Sequence, residues 1–177
     1  MDRQIPSLGK RDHTQGPLDA AVELIEYGDY ECPYCKAAFP VVKLIQKQFG
    51  NDLCFAYRHF PLVQVHPLAI GAAEAAESAG AQGRFWQMHD LLFEYSPRLE
   101  IPDLVAMAAA LGLDLKRFEA DLAGHRYVRR IREDMNTALN SGARGTPTFF
   151  IDGIRHEGGF DFESLASALL AAQRVSG

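Results

Sequence analysis

The chain has 177 residues, 47% hydrophobic and 23% charged, a globular composition with enough length for one domain and a sizeable core. Its net charge of −5, with acidic and basic residues interspersed, lacks the basic footprint of a nucleic-acid partner. No run approaches the roughly 18 apolar residues of a membrane span, and three cysteines do not build a structural disulfide framework.

Met1 to Ala20 is polar, broken by Pro6, Gly9, Gly16 and Pro17, and has no apolar h-region. We read about 1–15 as a flexible segment and expect a cytoplasmic chain, or a periplasmic one if a leader has been removed. Residues 21–27 (Ala-Val-Glu-Leu-Ile-Glu-Tyr) predict a β-strand, and Ala37 to Phe49 repeats apolar residues at helical spacing up to Gly50. Between them stands Cys32-Pro33-Tyr34-Cys35. A second strand is expected over about 52–58, closed by Phe60-Pro61, and it carries Cys54. Cys54 reads as a small buried hydrophobe rather than a second redox partner.

Helical patterns then follow over 66–80, which is Ala-rich, 83–95, 102–111, 115–122 and 126–140. Arg126, Arg129, Arg130 and Arg132 alternate with Tyr127, Val128, Ile131 and Met135, the pattern of a solvated helix face. After Ser141-Gly142, Thr146 to Ile151 reads as a strand, Asp152-Gly153 as a tight turn and 154–157 as its partner strand. Residues 161–175 form a closing helix. The order is βαβ, an all-helical insertion, then ββα. It predicts one α/β domain over 1–177, with a core of about 20–62 and 144–177 and an insertion of about 63–143 between the second and third strands.

A Cys-x-x-Cys where a strand hands over to a helix is the signature of thiol–disulfide exchange. Helix N-terminal N–H groups and the positive dipole end stabilise a thiolate, the reactive form. Cys32, at the helix start, is then the exposed attacking thiol and Cys35, one turn in, the resolving thiol. Pro33 suits the first turn because its missing N–H has no intrahelical partner there. Tyr34 offers an aromatic surface beside the attacking sulfur and adds no positive charge.

Glu26 lies near the end of a strand otherwise built for burial, where a charge is costly without a partner or a task. It reads as a proton acceptor or donor for Cys35, the alternative being a carboxylate at a solvated strand end. Pro147 cannot donate to a ladder, so it belongs at an edge or a special turn, and Thr146-Pro147 is the best cis candidate of the nine prolines.

With these residues, the chain resembles the DsbA-type branch of the thioredoxin superfamily. The resemblance rests on Cys-Pro-Tyr-Cys, on Asp29-Tyr30-Glu31, on Arg58-His59-Phe60-Pro61-Leu62 with His66-Pro67, on the helical insertion and on Gly145-Thr146-Pro147-Thr148-Phe149-Phe150. It covers nearly the whole chain from about Asp12. It implies a thioredoxin-like fold, a central mixed sheet flanked by helices. It also implies exchange with protein thiols and disulfides through a mixed disulfide at Cys32, with Glu26 as the buried acid. By the same resemblance Pro147 is a cis-proline facing the sulfurs, and Thr146 is the residue whose backbone pairs with a substrate peptide beside Pro33 and Tyr34. The dipeptide Pro-Tyr replaces the Pro-His of well-studied DsbA oxidants, so a less oxidising couple is expected. Leaderless domains of this kind are also known fused to membrane transporters.

Two other readings compete. A glutaredoxin-like reductase shares Cys-Pro-Tyr-Cys and takes glutathione as electron donor, but it lacks so large an insertion. A redox-sensing or peptide-binding module needs no turnover. No metal is expected, because no second ligand pair follows the first. No cofactor is expected beyond the Cys32-Cys35 disulfide.

Overall fold

A computed structural model describes residues 6–176 of the chain. Five strands form one mixed sheet in the order β1-β3-β2-β4-β5: β1 (His13–Gln15), β2 (Val22–Gly28), β3 (Leu53–His59), β4 (Thr148–Ile151) and β5 (Ile154–Arg155). Parallel strands need a long crossover, and α1 (Pro33–Phe49) supplies it between β2 and β3. The other pairs are antiparallel. The β4–β5 hairpin turns through Asp152 and Gly153, both at positive φ (46° and 77°), the backbone of a tight two-residue turn.

The insertion holds five helices: α2 (Ala69–Gly80), α3 (Phe85–Tyr95), α4 (Ile101–Ala110), α5 (Leu115–Ala123) and α6 (Val128–Asn140). The closing helix is α7 (Phe162–Ser176). The first core cluster takes alternate residues of β2 and β3, namely Val22, Leu24, Leu53, Phe55 and Tyr57, and packs them with α1, α7 and the insertion. The small side chains Ala72, Ala75, Ala76 and Ala79 bring α2 close to its neighbours there. The opposite face, with Ile25, Tyr27, Ala56 and Phe150, is covered by Met135 and Ala138 of α6. Thus α6 returns from the insertion to close the sheet.

The expected flexible segment is corrected where it is described. Residues 13–15 pair with Tyr57, Ala56 and Phe55 as an added edge strand, so the sheet starts before residue 20. Asp12 binds Arg58 through two hydrogen bonds of 2.7 and 2.8 Å, and Arg58 also reaches Tyr27 Oη at 2.9 Å. Residues 1–5 of that segment lie outside the described residues. A three-residue strand with the sequence His-Thr-Gln has no apolar alternation, so no periodicity announces it.

The arginine face also needs one correction. Arg129 is exposed, but the Arg130 side chain is only 14% exposed and lies 3.8 Å from Glu77 and 3.6 Å from Asp134. Glu77 receives His13 Nε2 at 2.9 Å and His59 Nε2 at 2.8 Å, joining β1, β3 and α2 below the sheet. Burial opposes the charge on Glu77, yet the hydrogen bonds from His13 and His59 outweigh it and hold the carboxyl well below the usual range. The second predicted hairpin strand shrinks to two residues, and the 66–80 helix starts only at Ala69.

Candidate active site

Cys32 caps α1 in an extended conformation and Pro33 opens the helix. The loop before it is locked by Asp29. Its Oδ1 accepts Glu31 N–H at 2.8 Å, its Oδ2 accepts Leu62 N–H at 2.8 Å and faces His66 Nδ1 at 2.8 Å, and its carbonyl accepts Cys32 N–H at 3.1 Å. Glu31 Oε2 accepts Leu68 N–H at 2.7 Å. The motifs 29–31 and 58–67 therefore bond to each other, with His66 clamping the loop.

The expectation of an exposed Cys32 is corrected: it is 2% exposed, and Cys35 is fully covered. What covers Cys32 is the Gly145–Pro147 loop. Thr146 O lies 3.5 Å from Cys32 Sγ, and the Thr146–Pro147 bond is cis. Ser96–Pro97 is a second cis bond, which no sequence feature singled out. Pro33 and Tyr34 remain exposed beside the sulfurs, Tyr34 by 61%.

Both thiols are free, and their proton affinities are pushed apart. A hydrogen bond donated by Cys35 lowers Cys32 most, and the Thr146 side chain and the N–H groups of Cys35 and Tyr34 assist. Against the opposing effect of burial, Cys32 falls from 9.0 to about 5. Cys35 rises well above its ordinary value, through burial first and then through its bond to Cys32 and the charge on Glu26. One sulfur is a thiolate at neutral pH and the other holds a proton.

Glu26 is 2% exposed, so the solvated strand end is excluded. Burial, and then the negative charge of Cys32, raises its carboxyl from 4.5 to about 8. Its Oε1 has no hydrogen-bond partner among the described residues. In the parallel register Glu26 sits beside Tyr57, whose Oη is likewise buried without a partner of normal geometry. Gly28 makes room for that ring, because a Cβ there would lie 2.5 Å from Tyr57 Cε2. Sequence reasoning did not single out Tyr57. The strand register is the signal that finds it, and register is read only once the strands are aligned. Behind it, Tyr30 Oη bonds His89 Nδ1 at 3.0 Å in an aromatic cluster with Phe93. Cys54 is buried on the other face of β3, packed apart from the redox pair. Among the described residues, no group of three or more histidine, cysteine or acidic side chains is placed to hold a metal.

A family model described as thioredoxin matches residues 9–171. This chain belongs to the thioredoxin family. Solved structures of similar fold include oxidised BdbD of Bacillus subtilis (22% identical, TM-score 0.82, 91% of this chain and 92% of that one). They also include a thioredoxin-like oxidoreductase of Silicibacter pomeroyi DSS-3 (25%, 0.83, 94% and 94%) and alpha-DsbA1 of Wolbachia pipientis (20%, 0.82, 96% and 94%). The fold is DsbA-like. Among curated sequences, Na(+)/H(+) antiporter NhaA 1 of Salinispora arenicola is 47% identical over 172 residues, 97% of this chain and 26% of the relative. The NhaA antiporter of Herminiimonas arsenicoxydans is 41% identical over 163 residues, 92% of this chain and 26% of the relative. This thioredoxin-family chain therefore spans about a quarter of the length of the curated relatives it matches. Among the described residues, no helix is long and apolar enough to cross a membrane.

Proposed function

We propose that the chain is a protein thiol–disulfide oxidoreductase working through Cys32 and Cys35. The observation that carries this reading is the split between the two thiols: a Cys32 lowered to about 5 beside a Cys35 held protonated next to a carboxyl raised to about 8. In the reducing direction, the Cys32 thiolate attacks a substrate disulfide and forms a mixed disulfide, expelling one substrate sulfur as a thiolate that takes up a proton. Glu26 accepts the Cys35 proton, and the Cys35 thiolate attacks Cys32 Sγ. The second substrate sulfur leaves as a thiolate, the chain holds the Cys32–Cys35 disulfide, and two electrons have passed to the substrate. The reverse sequence oxidises a substrate dithiol. Thr146 and Pro147 shape the groove in which the substrate backbone lies, beside Pro33 and Tyr34. Low-molecular-weight thiols such as glutathione are the electron donors in the reducing direction.

The test compares wild type with Cys35→Ser on a disulfide-bonded protein and on a glutathionylated substrate. The dithiol reading expects lost turnover and a trapped adduct at Cys32 in the variant. Survival of deglutathionylation would instead support a glutaredoxin-like reductase.

The antiporter names of the relatives favour a second reading, a redox-sensing module attached to a transporter. In that reading the same cysteine pair reports the thiol state of its surroundings, and turnover on added protein substrates is absent in wild type.

A further inference from the structure

Behind the cysteine pair lies a set of buried polar groups to which the exchange chemistry gives no task. Glu26 and Gly28 of β2 share one face of the sheet with Tyr57 and His59 of β3, and Tyr30 and His89 pack against the two β3 rings. Glu26, Tyr57, Tyr30 and His89 are all buried. Tyr30 Oη and His89 Nδ1 are 3.0 Å apart. The Tyr30 and Tyr57 rings lie 5.1 Å apart, and their hydroxyls interact without a bond of normal geometry. Tyr57 Oη reaches over Gly28, two residues along β2 from Glu26, to within 2.7 Å of where a Cβ would stand. Glu26 Oε1 is itself without a partner among the described residues. Hydrogen bonds that serve proton transfer are often long or misaligned at rest.

None of these three rings changes charge near neutral pH. Burial, then the charges of Tyr30, Cys35, Glu26 and Asp29, keeps the Tyr57 hydroxyl protonated. Burial, then Glu77, Glu26 and Asp90, does the same for Tyr30. Burial, then the positive charges of Lys43, His59 and His13, keeps His89 neutral. Two hydroxyls and a neutral imidazole hold one mobile proton each, so a row of them can point either way. With the imidazole proton on Nε2, Nδ1 accepts Tyr30 O–H, Tyr30 Oη accepts Tyr57 O–H, and Tyr57 Oη is left to accept the proton of a neutral Glu26 carboxyl. With that proton on Nδ1, Nδ1–H donates to Tyr30 Oη, Tyr30 O–H donates to Tyr57 Oη, and Tyr57 O–H donates to a Glu26 carboxylate. The row gains and loses no proton in the change: each hydroxyl turns, and the imidazole gives one proton to water at one nitrogen and takes one up at the other.

Resting on the dithiol reading above, we infer that His89 is a positioning residue for Glu26: through Tyr30 Oη it sets which way the Tyr57 hydroxyl points, and its tautomer follows the ionisation of Glu26. A buried carboxyl that takes the Cys35 proton and releases it again needs a hydrogen-bond partner in both states. A reversible row ending in an imidazole supplies a partner for each.

The experiment follows the histidine ring nitrogens of the reduced chain by nitrogen NMR from pH 6 to pH 10, with the His89 signals assigned by their loss in His89→Asn. They should convert from the Nε2–H to the Nδ1–H pattern with a midpoint at about 8, that of Glu26. Glu26→Gln should hold one tautomer throughout. A single tautomer in wild type across the range overturns the inference without recourse to any variant. A transition that persists in Glu26→Gln would belong to another group, such as His13 or His59, and overturns it as well. The kinetic arm reads the pH midpoint for release of a mixed disulfide at Cys32. His89→Leu should raise that midpoint by about 0.5 to 1 pH unit and leave the plateau rate unaltered. His89→Asn, whose amide can turn to donate or accept in place of Nδ1, should retain the wild-type midpoint. Near-UV circular dichroism verifies that both variants are folded, and equal midpoints in all three proteins would reduce His89 to packing. Failure of Cys32 to form any adduct while the tautomer transition persists overturns the exchange reading and leaves the coupling of His89 to Glu26 standing.

Discussion

Cys32 Sγ and the carbonyl oxygen of Thr146 lie 3.5 Å apart although 114 residues separate them in sequence. The contact joins the two halves of the core across the helical insertion. It makes the sulfur's environment a product of the fold rather than of the Cys-Pro-Tyr-Cys segment alone. The first thiol is buried beneath that loop, yet its proton affinity is lowered to about 5.

Glu26→Gln separates proton transfer from packing. The folded chain keeps the Glu26 proton up to about pH 8, whereas the unfolded chain loses it near 4.5. Between those values the folded state binds more protons, so this group makes stability fall as pH rises, with no further loss above about 8. Cys32 acts in the opposite sense: its folded value of about 5 lies below the ordinary 9.0, so its contribution grows between those values. Urea titrations should show Glu26→Gln gaining on the order of 3 kcal/mol relative to wild type between pH 5 and pH 9. Release of the mixed disulfide should slow by about a hundredfold in the same variant. An unchanged release rate would remove Glu26 from the mechanism.

Tyr57→Phe deletes a buried hydroxyl that has no partner of normal geometry. The fold should lose little, because no hydrogen bond is broken. The charge of Glu26 acts on this hydroxyl, and a neutral O–H dipole near a carboxyl favours its ionised form, so its loss should move the pH midpoint of the resolving step upward. Stopped-flow release rates across pH 6 to 10 give that midpoint; one identical to wild type would show that Tyr57 only fills space.

The fold was legible where periodicity is strong. The βαβ start, the insertion and the ββα end all follow from apolar spacing in residues such as Leu24, Ile45, Met88 and Leu165, each fully buried. The site pair was legible because Cys-x-x-Cys at a helix start has a local chemistry. Strand β1 was not, because His13-Thr14-Gln15 has no apolar alternation, and the Asp12–Arg58 ion pair beside it joins residues far apart in sequence. Nor was the covering of Cys32, which comes from a loop distant in sequence. The roles of Glu77 and Arg130 escaped for a similar reason: charged residues at helical spacing look solvated until His13, His59 and Asp134 are placed around them.

Glu77→Ala should be the more damaging change to stability. It leaves His59 buried without its acceptor and Arg130, nearly buried, without the carboxylate 3.8 Å from its guanidinium, a loss of about 3 kcal/mol in urea unfolding at neutral pH. Because the folded carboxyl is held well below the usual range, its contribution is complete above 4.5 and disappears as the pH falls toward the folded value. A loss under about 1 kcal/mol would show that the cluster is screened like an exposed pair.

Tyr34→His tests the dipeptide between the cysteines. Position 34 is exposed, so the side chain is replaceable without repacking. An imidazolium there stabilises the Cys32 thiolate and so the reduced form, raising the reduction potential by about 30 mV or more. Equilibration with a dithiol buffer reads the shift, and a lowered potential would contradict the electrostatic reasoning.

The most direct test of the Cys32–Cys35 couple is its equilibrium with glutathione redox buffers, followed by mass spectrometry of both cysteines. Dithiol chemistry predicts a single two-electron transition from two thiols to an intramolecular disulfide. The Cys32 value of about 5 lies between those of thioredoxin and DsbA, so the midpoint should fall between about −270 mV and about −120 mV. A stable glutathione adduct at Cys32 with no Cys32–Cys35 disulfide at any buffer ratio would contradict it.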